Sequence, residues 1–245
     1  KKVVMAGKYE LGEELGRGSS GRVVYGRSVE TLCRVAIKVQ DCPAERDGAG
    51  PTYEACVLEM LQHPHICRYV EWFADGAHEY LVTEFVKGGT LCDAVVDADL
   101  RAKLPVLDLF RQLMSALAYL HELHICHRDV KLENLLVSRR FHLKLADFGY
   151  ARALLRGERL ADRCGSPHYV APEIVSGKHY AGMPVDVWAA GVCLYALTSG
   201  QFPYTGADTA DIVQAVAMGS FEPPPGASEE VAGLVKLLLT PDPGA

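Results

Sequence analysis

The hydrophobic pattern of this chain changes period once, at Lys87-Gly88-Gly89. Upstream, short β-rich runs are separated by glycine or polar turns: Tyr9 to Leu15, Arg22 to Ser28, Cys33 to Val39, Tyr69 to Ala74 and Tyr80 to Glu84. One helix interrupts them. It is expected from Pro51, which suits a first helical turn, to about Gln62, with Val57, Leu58 and Leu61 at helical spacing. Downstream, Val106 to His124 places Leu109, Phe110, Leu113, Leu117 and Leu120 on one helical face. Val185 to Thr198 is apolar nearly all round and reads as a central buried helix, and Glu229 to Leu239 as a last one. Short strands are expected near Leu135 to Ser138 and His142 to Leu145. Strands first and helices second predict an α+β chain of two unequal lobes, residues 8–86 and 87–245.

Composition narrows the function. A formal charge of -6 argues against general nucleic-acid binding. The longest apolar run, Val187 to Leu197, is too short to span a bilayer, so no membrane partner is expected. Lys1-Lys2-Val3-Val4-Met5 lacks the apolar core of a signal peptide, and a start without an initiator Met is expected of a fragment. Eight scattered cysteines form no Cys-x-x-Cys, which predicts reduced thiols, a cytoplasmic location with access to the nucleus, and no structural zinc.

The chemistry lies in His127-Arg128-Asp129-Val130-Lys131-Leu132-Glu133-Asn134 and in Asp147-Phe148-Gly149. These runs hold a carboxylate for an acceptor hydroxyl, an ammonium for a migrating phosphate and two oxygen ligands for magnesium. Earlier, Gly16-Arg17-Gly18-Ser19-Ser20-Gly21-Arg22-Val23 matches Gly-x-Gly-x-x-Gly-x-Val. A dinucleotide fingerprint would open a helix, whereas Val23-Val24-Tyr25 continues as a strand. A glycine hairpin over phosphates and an ordinary hairpin turn both fit. Lys38, late in the apolar Val35-Ala36-Ile37-Lys38, is either a phosphate-contacting cation held by a carboxylate or an exposed edge lysine.

Together with Ala171-Pro172-Glu173 and Asp186-Val187-Trp188, these motifs stand in the order found in eukaryotic protein kinases, which the chain resembles along most of its length. The resemblance implies a bilobal kinase-like fold, with a small antiparallel-sheet N-lobe and a larger, mostly helical C-lobe. It implies ATP and Mg2+ as cofactors, and protein substrates phosphorylated on Ser or Thr. By the same carry-over, Lys38 contacts the α- and β-phosphates and pairs with Glu54, chosen over Glu59 for its spacing to His63-Pro64. Asp129 serves the acceptor hydroxyl, Lys131 the transferring phosphoryl, and Asn134 and Asp147 bind magnesium. The nucleotide is met by Gly16, Arg17, Gly18, Ser19, Ser20 and Gly21. Thr83 is the gatekeeper, with Glu84, Phe85 and Val86 as the hinge, and Val23, Ala36 and Leu136 enclose adenine. For these last three, plain core packing competes. His127 is expected to pack rather than to act as a base.

Lys131, Ser166 and the spellings Lys-Leu-Glu-Asn and Cys164-Gly165-Ser166-Pro167-His168-Tyr169 are similar to the AMP-activated-kinase-like branch of the calcium/calmodulin-dependent-kinase group. Glu133 then faces a basic residue near the phosphoacceptor. Thr90 replaces a Glu common in relatives, with Asp93, Asp97 and Asp99 as candidate compensation or simply a solvated face. Counting from Asp147, the family's activation-segment phosphothreonine falls on Asp162, and no Thr lies between Gly149 and Pro172. Asp162 is therefore expected to pair with Arg128, and with Arg152, ordering the segment without phosphorylation; Glu158 is the alternative partner. The family's Arg partner for Glu173 would lie beyond Pro241-Asp242-Pro243, so Glu173 is expected to stand uncompensated in these residues. The rival to an active kinase is a pseudokinase scaffold that binds nucleotide. An oxidoreductase rests on the glycine motif alone.

Overall fold

The computed structural model describes residues 4–5, 7–18, 21–42, 50–177 and 179–241. The chain divides into two compact units, Lys1–Val86 and Lys87–Ala245.

The first unit is a six-stranded antiparallel sheet of β1 (Val4–Met5), β2 (Tyr9–Gly18), β3 (Gly21–Ser28), β4 (Arg34–Asp41), β5 (Tyr69–Ala74) and β6 (His78–Glu84), with spatial order β1-β2-β3-β4-β6-β5. Register decides what each face carries, because directly paired residues point the same way and neighbours alternate. Val24 pairs with Ile37 and Ile37 with Val82. Together with Tyr9, Val35, Val39 and Tyr80 they form one buried cluster. The opposite face carries Val23 beside Lys38, and Ala36 beside Tyr25 and Thr83.

The single helix here, α1 (Tyr53–Met60), starts later than Pro51. The Thr52 side chain accepts from the Ala55 N–H at 3.2 Å and so defines the N-cap, which leaves Pro51 outside the helix. The helix buries Glu54, Ala55, Val57 and Leu58 and leaves Glu59 exposed.

The second unit is built around α6 (Gly182–Ser199), which is buried nearly all round, as its unbroken apolar run requires. Helices α4 (Val106–Glu122) and α8 (Glu229–Leu238) pack against it. Leu109, Leu117 and Leu120 of α4 are fully buried. Each such leucine is worth roughly 1.5–3 kcal/mol.

Short elements not expected from the sequence are α2 (Leu91–Val96), α3 (Ala98–Arg101) and α7 (Thr209–Met218). Asp93 and Asp97 are spent on them. Asp93 completes a capping box with Thr90, and Asp97 caps α3 by accepting from Asp99 and Leu100 N–H. Strand β7 (Ile125–Cys126) pairs with β10 (Arg152–Ala153), and β8 (Leu135–Val137) with β9 (Leu143–Leu145). A four-residue helix, α5 (Pro172–Val175), opens with Pro172. Among the described residues no helix is long and apolar enough to cross a membrane.

Candidate active site

In the first unit, Lys38 Nζ lies 2.8 and 3.1 Å from the two carboxylate oxygens of Glu54, and both side chains are nearly buried. The capped first turn of α1 therefore supplies the carboxylate that makes a lysine tolerable on this strand. Val23, Ala36 and Thr83 share the Lys38 face and are half-buried. Of the glycine run, Ser19 and Ser20 lie outside the described residues. Gly16 and Gly18 face open space, whereas a Cβ on Gly21 would collide with the Val39 carbonyl at a φ of +131°. Gly21 is thus required by the sheet itself.

Two side chains are turned to other tasks. Arg17 makes a bidentate pair with Glu14, at 3.0 and 2.9 Å, which leaves its main chain for any phosphate contact. Glu84 accepts from the Arg68 N–H at 2.9 Å, so its carboxylate is engaged within the sheet. Val86 is half-buried at the end of the unit.

In the second unit the loop after β7 is held from beneath. Asp186, 1% exposed in α6, accepts from the Arg128 N–H at 2.7 Å and the His127 N–H at 2.9 Å, and meets His121 Nε2 at 2.9 Å. Arg128 bends through φ +65° at this anchor. A carboxylate inside a helix this apolar needs partners, and two backbone N–H groups provide them. The sequence motif containing Asp186 was recognisable; its task was not.

The loop then presents Asp129, 4% exposed, with Lys131 Nζ 2.7 Å from its carboxylate. Ser166 Oγ accepts from Lys131 at 3.1 Å and donates to Asp129 Oδ1 at 3.4 Å. The Asn134 side-chain amide donates to the Asp129 carbonyl at 2.8 Å and to its carboxylate at 3.1 Å. Both N–H groups of Asn134 are thereby committed, and its amide oxygen is left without a hydrogen bond among the described residues. The Asn134 carbonyl accepts from Ala146 N–H at 2.9 Å, which brings the backbone just before Asp147 alongside. Asp147 is half-buried and bends through φ +59°. An amide oxygen and a carboxylate are the hard ligands magnesium takes, so this pair fits the ion.

His127 packs, as expected. It is wholly buried, its Nδ1 accepts from the Asp129 N–H at 3.3 Å, and its ring meets Phe148 edge-on at 4.8 Å. Burial holds the imidazole below its ordinary pKa, against Asp186, Asp129 and Asp147. Glu133 is exposed and accepts from the buried Tyr169 hydroxyl at 3.3 Å, a partner the sequence did not suggest. Leu136 is half-buried in β8 and bridged to Thr90.

Arg128 pairs with Asp162 through its guanidinium, and its Nε donates to the Tyr150 carbonyl at 2.7 Å. Arg152 lies 3.8 Å from Asp162 and 2.8 Å from Glu158, so Glu158 serves Arg152 and not Arg128. Burial would raise the Asp162 carboxyl. The hydrogen bond and charge of Arg128, with the charge of Arg152, outweigh it and hold the pKa below the usual Asp value. Glu173 has no ion-pair partner among the described residues, and burial raises its pKa. All eight cysteines are free thiols.

The arrangement gathers a buried carboxylate, an ammonium and an amide oxygen on one short loop, with the backbone just before Asp147 hydrogen-bonded to that loop. The chain is 35% identical to CBL-interacting serine/threonine-protein kinase 24 of Arabidopsis thaliana over 99% of its length, covering 55% of that protein. It is 36% identical to serine/threonine-protein kinase SIK2 of Gallus gallus over 97% of its length, covering 30% of that protein. It is 34% identical to probable serine/threonine-protein kinase MARK-C of Dictyostelium discoideum over 99% of its length, covering 32% of that protein. The chain thus spans about a third to a half of these relatives. With the protein kinase domain model matched along residues 9–245 and relatives about 35% identical over nearly the whole chain, the chain belongs to the protein kinase domain family.

Proposed function

We propose that the protein transfers the γ-phosphate of ATP to Ser or Thr hydroxyls of protein substrates. The observation that carries this reading is the loop geometry: Asp129 buried, with Lys131 and Ser166 against its carboxylate and the Asn134 amide oxygen unspent. Asp129 orients the acceptor hydroxyl and takes its proton. Lys131 neutralises charge on the moving phosphoryl group. Lys38, held by Glu54, contacts the α- and β-phosphates. Gly16, Gly18 and the backbone of the glycine run approach the phosphates, and Val23, Ala36, Thr83 and Val86 contribute the apolar and main-chain surroundings of adenine. Asn134 and Asp147 would hold Mg2+, which when bound neutralises phosphate oxygens. Glu133, fixed by Tyr169, favours substrates with a basic residue near the phosphoacceptor. A cytoplasmic setting suits the free thiols.

The Arg128–Asp162 pair supports activity without threonine phosphorylation in the activation segment. The same segment is pinned by Arg152-Ala153 on β7 and by Leu160 against Tyr180. A labelled γ-phosphate transfer assay with a serine peptide tests the reading. Asp129→Asn is expected to lower transfer by roughly 10²- to 10⁴-fold, the range of general-base contributions. Nucleotide binding with no transfer by the unaltered protein would favour a scaffold instead.

A further inference from the structure

Of the four activation-segment arginines, Arg152 has acidic partners, and Arg156, Arg159 and Arg163 have none among the described residues. Arg128 and Arg152 share Asp162, and Arg152 also holds Glu158. Arg159 and Arg163 are exposed and have no acidic partner among the described residues. Asp162, adjacent to Arg163 in the chain, is already engaged by Arg128.

Of these, the guanidinium groups of Arg159 and Arg163 are positioned by neighbouring backbone. The Leu160–Tyr180 bridge runs antiparallel, which brings position 163 opposite Gly177. There Arg163 lies so close to the turn that a Cβ on Gly177 would collide with its guanidinium, with Cζ only 3.5 Å away. Arg159 Nε donates to the His179 carbonyl at 3.3 Å. Arg163 and Arg159 therefore lie against Gly177 and the His179 carbonyl, with no acidic partner among the described residues.

The catalytic loop and this segment run side by side in the same direction. Arg128 meets Asp162, Asp129 and Lys131 meet Ser166, and Glu133 meets Tyr169. Along that ladder Arg163 stands at one end and Glu133 at the other, with Asp129 between them. A peptide laid along this ladder across Asp129 would have Glu133 toward one end and position 163 toward the other. Arginine forks match carboxylate and phosphate oxygens two at a time.

We propose that Arg163, supported by Arg159, reads an anionic residue of the substrate, a carboxylate or a phosphorylated side chain, on the opposite side of the phosphoacceptor from the residue read by Glu133. This rests on the kinase reading above and names its substrate class.

The test uses serine peptides with Asp, phosphoserine, Ala or Lys placed singly at each of several positions on either side of the acceptor. Asp is expected to raise kcat/KM over Ala by about two- to fivefold on one side only, the range of an exposed ion pair, and phosphoserine by more. Arg163→Gln removes the Asp/Ala ratio, Arg163→Lys retains part of it, and Arg163→Glu inverts it toward Lys. These ratios are insensitive to how much of a variant folds. Equal rates for Asp and Ala at every position, an equal preference on both sides, or a ratio unchanged in Arg163→Gln overturns the inference and leaves phosphoryl transfer standing. Transfer to no peptide at all overturns both.

Discussion

Asp162 carries one charge where a phosphothreonine brings about two, and the difference is measurable. Its folded pKa is depressed, so its contribution to the segment is present above the ordinary Asp value and lost only as pH falls through the lower, folded value. A phosphate would titrate near pH 6. Protease resistance of the activation segment is therefore expected to stay flat from about pH 5 to 8 after phosphatase treatment. Asp162→Asn is expected to open the segment and reduce transfer several-fold; full activity in that variant would sink the pairing as an activating device. Glu173 has the opposite sign. Its raised pKa means that its favourable state is complete below the ordinary Glu value and lost as pH rises through the folded one. In residues 1–245, Glu173→Gln should raise Tm at pH 7.5 by about 2–4 °C, the shift that ~1 kcal/mol produces in a domain this size, and by less at pH 4.5. Asp162 was legible because counting from Asp147 needs no third dimension. The engagement of Arg17 by Glu14 and of Glu84 by Arg68 N–H was not, because motif position says nothing of where a long side chain folds back.

At the scale of elements, the functional side chains depend on caps and anchors. Thr52 caps α1, and Glu54 rides in the first turn beside it. Thr52→Ala should cost about 1 kcal/mol and raise KM for ATP more than it lowers kcat. A loss of stability with KM unchanged would separate the cap from the Lys38–Glu54 pair. Asp186 is the corresponding anchor below Asp129. Asp186→Ala leaves the buried His127 N–H and the part-buried Arg128 N–H unpaired, at roughly 1–3 kcal/mol for the buried one, and should lower both Tm and kcat. Strand β5 and the start of α4 were readable from local pattern. The start of α1 was misplaced because Pro51 and Thr52 both suit a helix entry, and the hydrogen bond to Ala55 decides between them. The aspartates at positions 93 and 97 looked like a charged face and are caps, a distinction that rests on backbone geometry.

For the whole molecule, thiol reactivity is a simple check. Eight thiols should titrate after unfolding. Under native conditions Cys33 and Cys56 react first, and Cys67, Cys126 and Cys193 only on unfolding, because the first two are exposed and the last three buried. Fast reaction at all positions would contradict the packing of α6, which holds Cys193. The sequence by itself determined the family and the strands-first, helices-second order of the main elements, and it named the groups proposed to handle phosphate, because those depend on spacing along the chain and on residue chemistry. Only the tertiary structure decided that Asp162 and not Glu158 takes Arg128, that Asp186 supports the catalytic loop, and that Arg159 and Arg163 have no acidic partner among the described residues. Those outcomes depend on which distant groups compete for the same partner, and that competition is settled by distance in space.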